Sequence, residues 1–162
     1  MPLRKAWATL LLSAASAAAA QAYPAKPIRL IVPFGVGGPG DAIGRLLGRQ
    51  LTESLGQPVV IDNRSGATTI IGTELAAKSP PDGHTLLLIS TTHAVNPSLF
   101  AKLPYDPIRD FAPVTLIAAT PFMLAVHPSV AANSVTELVT LARGKPGTLN
   151  YGSSGAGSSI HL

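Results

Sequence analysis

Two glycine-rich segments carry the chemistry that this chain advertises. Gly35-Val36-Gly37-Gly38-Pro39-Gly40 follows the apolar run from Ile28 to Phe34 and leads into Asp41-Ala42-Ile43. At a strand–loop–helix junction the first N–H groups of the helix lack partners, and the helix dipole adds partial positive charge. Glycines there let an anion come close to the backbone. A second segment of this kind, Gly152-Ser153-Ser154-Gly155-Ala156-Gly157-Ser158-Ser159, stands near the other end. Two such cradles imply capture of a small acid by backbone donors.

Other chemistries fit these residues less well. Gly35, Gly37 and Gly40 satisfy the G-x-G-x-x-G dinucleotide fingerprint, and Asp62 falls where a ribose-binding acid would sit. Pro33 and Pro39, however, interrupt the junction that this fingerprint needs. The serines of the second segment do not form the G-x-S-x-G elbow, and spacing pairs no acid with a base. His84, His93, His127 and His161 show no metal-ligand spacing, so no metal is expected. His84 and His127 read as surface or turn residues. His93 and His161 lie on or beside the candidate loops, where an imidazole either donates to a carboxylate or serves as a structural hydrogen-bonder. Asp41 beside the first cradle reads as a helix N-cap. Arg29 and Arg64 read as solvated surface.

These loops need a scaffold, and the rest of the chain reads as alternating strand and helix. Strands are expected at Ile28 to Val32, Val59 to Ile61 and Thr85 to Ser90. Helices are expected from Asp41 to Leu55, closed by Gly56, and from Ile71 to Lys78. Asn63 to Thr69 reads as a polar loop, Pro80 to Gly83 as a turn and Thr91 to Asn96 as a polar segment. Beyond a proline-rich connection, Leu103 to Asp110, further strands are expected at Val114 to Ala118, Phe122 to Val126 and Leu149 to Tyr151. Ser134 and Glu137 form a capping box that opens a helix through Leu138, Leu141 and Arg143. Uniformly apolar strands separated by helices indicate an α/β fold with a mainly parallel sheet covered on both faces.

Composition constrains where such a protein works. Arg4 and Lys5 precede an alanine-rich apolar stretch that ends at Ala20-Gln21-Ala22, the pattern of an export signal at 1–22 cleaved after Ala22. The absence of cysteine excludes disulfides and a lipidated cleavage site. A soluble periplasmic protein fits this pattern. Of the twelve Lys and Arg, ten remain after cleavage against eight Asp and Glu, a net of +2. That balance argues against nucleic acid as a partner.

One series of motifs resembles a known family. Tyr23-Pro24, Pro27 to Phe34, Gly37-Gly38, Asp41, Gly56-Gln57-Pro58-Val59-Val60, Asn63-Arg64 and Pro81-Asp82-Gly83 occur in order. Asn96 to Leu99, Leu103 to Pro107, Asp110 to Val114 and Ser154 to Leu162 continue the series. The chain is similar to the Bug family, the extracytoplasmic solute receptors of tripartite tricarboxylate transporters. The resemblance implies a two-lobed periplasmic-binding-protein fold that closes by hinge motion. A first lobe would span 23–120, and 121–162 would begin a second lobe, incomplete here, with the crossing near Ala118 to Phe122. It implies a receptor and not an enzyme, a monomer without cofactor, a small organic acid or related metabolite as ligand, and membrane transport subunits as partners. Carried over by motif, the ligand contacts are Phe34, Gly37, Gly38, Asp41, Thr92, His93 and Ala94 from the first lobe. Ser153, Ser154, Gly155, Gly157, Ser158 and His161 would come from the second. The chain departs from relatives after Asn63-Arg64, where Ser65, Thr68, Thr69 and Ile70 replace a proline and glycines. The alternatives are a nucleotide-dependent enzyme using the G-x-G-x-x-G loop, or a ligand sensor for a membrane kinase.

Overall fold

A computed structural model describes residues 23–119, 121–153 and 161. The export signal expected at 1–22 and most of the second glycine-serine segment lie outside the described residues. The chain forms two compact units that divide between Ile89 and Ser90.

The first unit is built around β1 (Ile28–Val32), the apolar run that opens the sequence. Ile28, Leu30, Ile31 and Val32 are at most 2% exposed, so both faces of this strand are covered. It pairs in parallel with β2 (Val59–Asn63) and β3 (Thr85–Leu87), giving a three-stranded sheet in the order β2-β1-β3. In register, Leu30 lies opposite Ile61 on one side and Leu86 on the other. Helix α1 (Pro39–Leu55) joins β1 to β2, and α2 (Ile70–Ala77) joins β2 to β3. These crossovers run in opposite directions across the sheet, so a common right-handed sense puts the helices on opposite faces. The expected α/β parallel architecture is what forms.

Small residues set how closely the helices approach the sheet. On one face Leu30, Val32 and Leu88 form a buried cluster with Ile43, Leu47, Val59 and Ile61 packed against it. Gly44 and Gly48 stand one turn apart on α1. A Cβ on either would lie 2.8 Å from Val32 Cγ2 or 2.7 Å from Ile61 Cδ1. Each glycine costs the helix about 1 kcal/mol relative to alanine, and close packing offsets that cost. On the other face, a Cβ on Gly72 of α2 would meet Arg64 O at 2.7 Å and Pro33 Cβ at 2.8 Å.

The boundaries differ from expectation in instructive ways. Helix α1 starts at Pro39, not Asp41, because a proline at the first helical position needs no acceptor and brings the right φ. It ends as expected at Gly56, which is left-handed (φ +68°) and donates to Thr52 O at 3.1 Å. Strand β2 runs on through Asp62 and Asn63, because β1 continues to offer partners as far as Val32. Strand β3 stops at Leu87, and Ser90 caps the next helix instead.

The second unit has α3 (Thr91–Leu99) and α4 (Val135–Gly144). Helix α3 replaces the expected polar segment; it lacks apolar periodicity and contains Pro97, so pattern reading passes over it. Helix α4 opens at the expected Ser134 and Glu137, with the return bond of the box made one residue before the cap. Ser134 Oγ accepts the Glu137 N–H at 3.2 Å, while Glu137 Oε2 reaches back to the Asn133 N–H at 2.7 Å. The strands expected at 114–118, 122–126 and 149–151 do not form. A strand persists only where a neighbour takes its N–H and C=O groups. No such neighbour is present among the described residues, and Leu116, Met123 and Tyr151 are 77–91% exposed. No helix among the described residues is long and apolar enough to cross a membrane.

Candidate ligand-binding site

The glycine loop leaves the carboxyl end of β1, the strand at which the order of the sheet reverses. Open α/β sheets form their ligand crevice at such a position. Gly37 is left-handed (φ +82°), a conformation that suits glycine. The Phe34 ring packs against Gly40, where a Cβ would stand 2.4 Å from the ring. The loop is therefore a fixed turn with one aromatic wall.

Asp41 holds that turn from inside. It is only 3% exposed, and it sits in the third helical position, not at the N-cap as expected. Because α1 begins at Pro39, the carboxylate reaches back past the cap. Its Oδ2 accepts the Gly37 N–H at 2.9 Å and Arg45 Nε at 3.0 Å. Its Oδ1 accepts Asn63 Nδ2 at 3.0 Å. The Arg45 guanidinium first, and the Gly37 N–H second, hold this carboxyl down to about 2. Asp41 is thus an anion of the protein's own at a helix N-terminus, balanced by Arg45. The turn therefore presents a neutral pair, not a bare negative charge.

That arrangement leaves specific donors open. Gly37 has given its N–H to Asp41, and Gly38 N–H turns back to Gly35 O at 3.3 Å. The N-cap is Gly38, which has no side chain to cap with. The N–H groups of Gly40 and Asp41, in the first turn, therefore find no intrahelical acceptor. Helix α3 differs, because Ser90 Oγ accepts the Thr92 N–H at 3.3 Å and closes its own first turn.

Within the second unit, Thr92 is buried and His93 anchors an aromatic cluster. His93 Nε2 bonds Pro107 O at 3.0 Å; a carbonyl only accepts, so this nitrogen carries the proton. The ring lies parallel to Tyr105 (centroids 6.0 Å, 7°) and edge-on to Phe111 (5.2 Å, 86°). His93 Nδ1 and the Tyr105 hydroxyl are buried without a hydrogen-bond partner among the described residues. Ala94 follows in the same first turns of α3. Ser153 Oγ and His161 Nδ1 lie 2.8 Å apart on the surface, and the Tyr151 ring stands beside His161 at 5.7 Å. Ser154, Gly155, Gly157 and Ser158 lie outside the described residues. Phe34, Gly37, Gly38 and Asp41 are thus brought together in the first unit, whereas Thr92, His93, Ala94, Ser153 and His161 belong to the second.

A sequence model described as "Tripartite tricarboxylate transporter family receptor" matches residues 43–162. The chain belongs to that family. BugT of Bordetella pertussis is 41% identical over 150 residues, 91% of this chain and 46% of BugT. Among solved structures, Rpa4515 of R. palustris with adipate is similar at 41% identity and a TM-score of 0.75, over 84% of this chain and 46% of that one. MatC of Rhodopseudomonas palustris with bound malate is similar at 39% identity and a TM-score of 0.54, over 59% of this chain and 33% of that one. The chain spans about half the length of the curated relatives it matches.

Membership in a receptor family moves the G-x-G-x-x-G loop away from cofactor chemistry, and the geometry agrees. Asp62, the would-be ribose acid, is committed elsewhere. Its Oδ2 accepts both Arg29 Nε at 2.7 Å and Arg29 Nη2, and its Oδ1 accepts Arg64 Nε at 2.8 Å. Burial would raise its pKa, but these two arginines outweigh burial and hold it below the ordinary carboxylate range. Arg29 and Arg64 are accordingly ion-paired and not freely solvated. They line an open depression of about 440 Å³ that lies beside β2, away from the glycine loop. Among the described residues, no group of three or more His, Asp or Glu could hold a metal.

Two residues that bond to the glycine loop's carboxylate escaped the sequence reading, Arg45 on α1 and Asn63 at the end of β2. A faint signal existed for Arg45, four residues after Asp41 and so on the same helix face. Asn63 stood out only as a motif letter.

Proposed function

We propose that the complete protein is a periplasmic receptor that closes two α/β lobes over a small carboxylate and presents it to the membrane subunits of a tripartite transporter. The observation that carries this reading is the uncapped first turn of α1 at the switch point of the sheet. It stands in a chain 41% identical to a protein solved with adipate. The first lobe would run from 23 to 120 and the second would begin at 121. Phe34, Gly37, Gly38 and Asp41 shape one side of the site, with Thr92, His93 and Ala94 after β3. Ser153, Ser154, Gly155, Gly157, Ser158 and His161 serve the second lobe. In this reading the N–H groups of Gly40 and Asp41 receive a ligand oxygen. Phe34 walls the aliphatic part of the ligand, and Arg45 neutralises Asp41 so that no charge repels the acid. His93 shapes the loop through Pro107. Cleavage after Ala22 would deliver the mature chain to the periplasm as a monomer.

A thermal-shift panel of mono-, di- and tricarboxylates on the complete protein tests this. Stabilisation that rises with ligand concentration is expected for at least one short dicarboxylate. No shift with any organic acid would overturn the reading.

A further inference from the structure

Asn63 is the last residue of β2, outside the glycine loop, yet it bonds to that loop twice. Its Nδ2 donates to Phe34 O at 3.3 Å and to Asp41 Oδ1 at 3.0 Å. Its Oδ1 faces Arg45 Nη2 at 3.5 Å. Each partner admits only one orientation of the amide: a carbonyl and a carboxylate accept, and a guanidinium donates. One planar group therefore ties the exit of β1, the first turn of α1 and the end of β2. Both of its N–H bonds are used, and no other side chain bonds both Phe34 and Asp41 among the described residues.

We propose that Asn63 is a positioning residue for ligand capture, the latch that keeps Asp41 turned onto the Gly37 N–H and so fixes the direction of the open donors at Gly40 and Asp41. The consequence for affinity rests on the receptor reading; the latch itself does not. Without Asn63, Asp41 keeps Arg45, which is itself more than half exposed and ties it to no other strand. The carboxylate is then free to leave Gly37, and the loop loses its link to β2. The other charged groups nearby, Asp62 and Arg64, are engaged with each other and with Arg29.

Asn63→Asp tests this without changing shape. It replaces the two N–H donors by a carboxylate facing Asp41, and two carboxylates in one site cannot both stay ionised at low cost. Asp41 is held low by Arg45 and Gly37, so the proton goes to the introduced carboxyl, whose pKa is raised. Once protonated, its O–H donates to Asp41 again. Hydrogen exchange of the Gly37 amide, read by NMR on the full chain, should lose about tenfold in protection near neutral pH in this variant, the equivalent of one or two hydrogen bonds. Protection should return as the pH falls from about 6 to 4. Asn63→Ala should lose it at every pH, a contrast that a merely structural role would not produce. Adipate affinity at neutral pH should weaken about tenfold in both variants. Unchanged protection at Gly37 in both variants would overturn the latch. Lost protection with unchanged adipate affinity would overturn its role in capture. If the parent protein binds no acid, the receptor reading fails while the exchange result still decides the latch.

Discussion

Asp41 shows how much one carboxylate can organise. In the unfolded chain it titrates near 3.8, and in the fold near 2. A folded pKa below the unfolded one means that its contribution is complete above about pH 4 and is lost as the pH falls through 2. A carbon-13 titration should therefore place the Asp41 midpoint near 2, with the Gly37 amide protected throughout the range above pH 4. A midpoint near 3.8 would show that the clamp is absent in solution. At the neighbouring position, Gly37→Val forces a β-branched residue into left-handed backbone, which costs about 1–2 kcal/mol before any ligand is considered. Local sequence showed that Asp41 mattered, because it stands beside the glycines. It could not show Asn63, twenty-two residues away, because only the parallel pairing of β1 with β2 brings the two together. His93 is a similar case: its position after β3 was legible, but its bond to Pro107 depends on a loop that pattern reading leaves shapeless.

At the level of elements, the segment between β2 and α2 is the least comfortable. Ala67, Thr68 and Thr69 all have positive φ, at 44°, 53° and 74°. Thr68 and Thr69 are among the positions where the family resemblance implies a proline and glycines, so part of the departure seen in the sequence reappears as backbone strain. Thr69 is also the N-cap of α2, and its side chain makes no capping bond. Thr69→Gly should therefore relieve about 1–2 kcal/mol of strain. The greater freedom of glycine in the unfolded chain takes back about 0.4–1 kcal/mol. A net gain in the urea midpoint is expected, and a loss would refute the strain account. Gly72→Ala should act the other way and cost about 1–3 kcal/mol, because Arg64 O and Pro33 block the new methyl and little there can move aside. Stability equal to the parent would show that α2 packs less tightly than described. Strand β1 and helix α1 were legible because a uniform apolar run and a 3.6-residue period are local properties. Helix α3 was not, since its nine residues carry Pro97 and no apolar stripe. The strands expected at 114–118 and 122–126 failed for a related reason: apolar, β-prone residues make a strand only beside another strand.

Over the whole molecule, the proposed site has one side made by a parallel sheet, a fixed glycine loop and an internally neutralised carboxylate. Composition limited the partners, through a net charge too small for nucleic acid. The parallel sheet followed from apolar patterning, whereas the two-lobed architecture and the ligand class came from the family motifs and not from physics alone. The central claim is that backbone donors at the first turn of α1 bind a carboxylate. Calorimetric titration of adipate into the complete protein and its Gly37→Val variant tests it most directly. Saturable binding by the parent and at least about tenfold weaker binding by the variant, a loss of about 1.4 kcal/mol, is the predicted result. Equal binding by the two proteins, or none by the parent to adipate, malate or any other short organic acid, would contradict it.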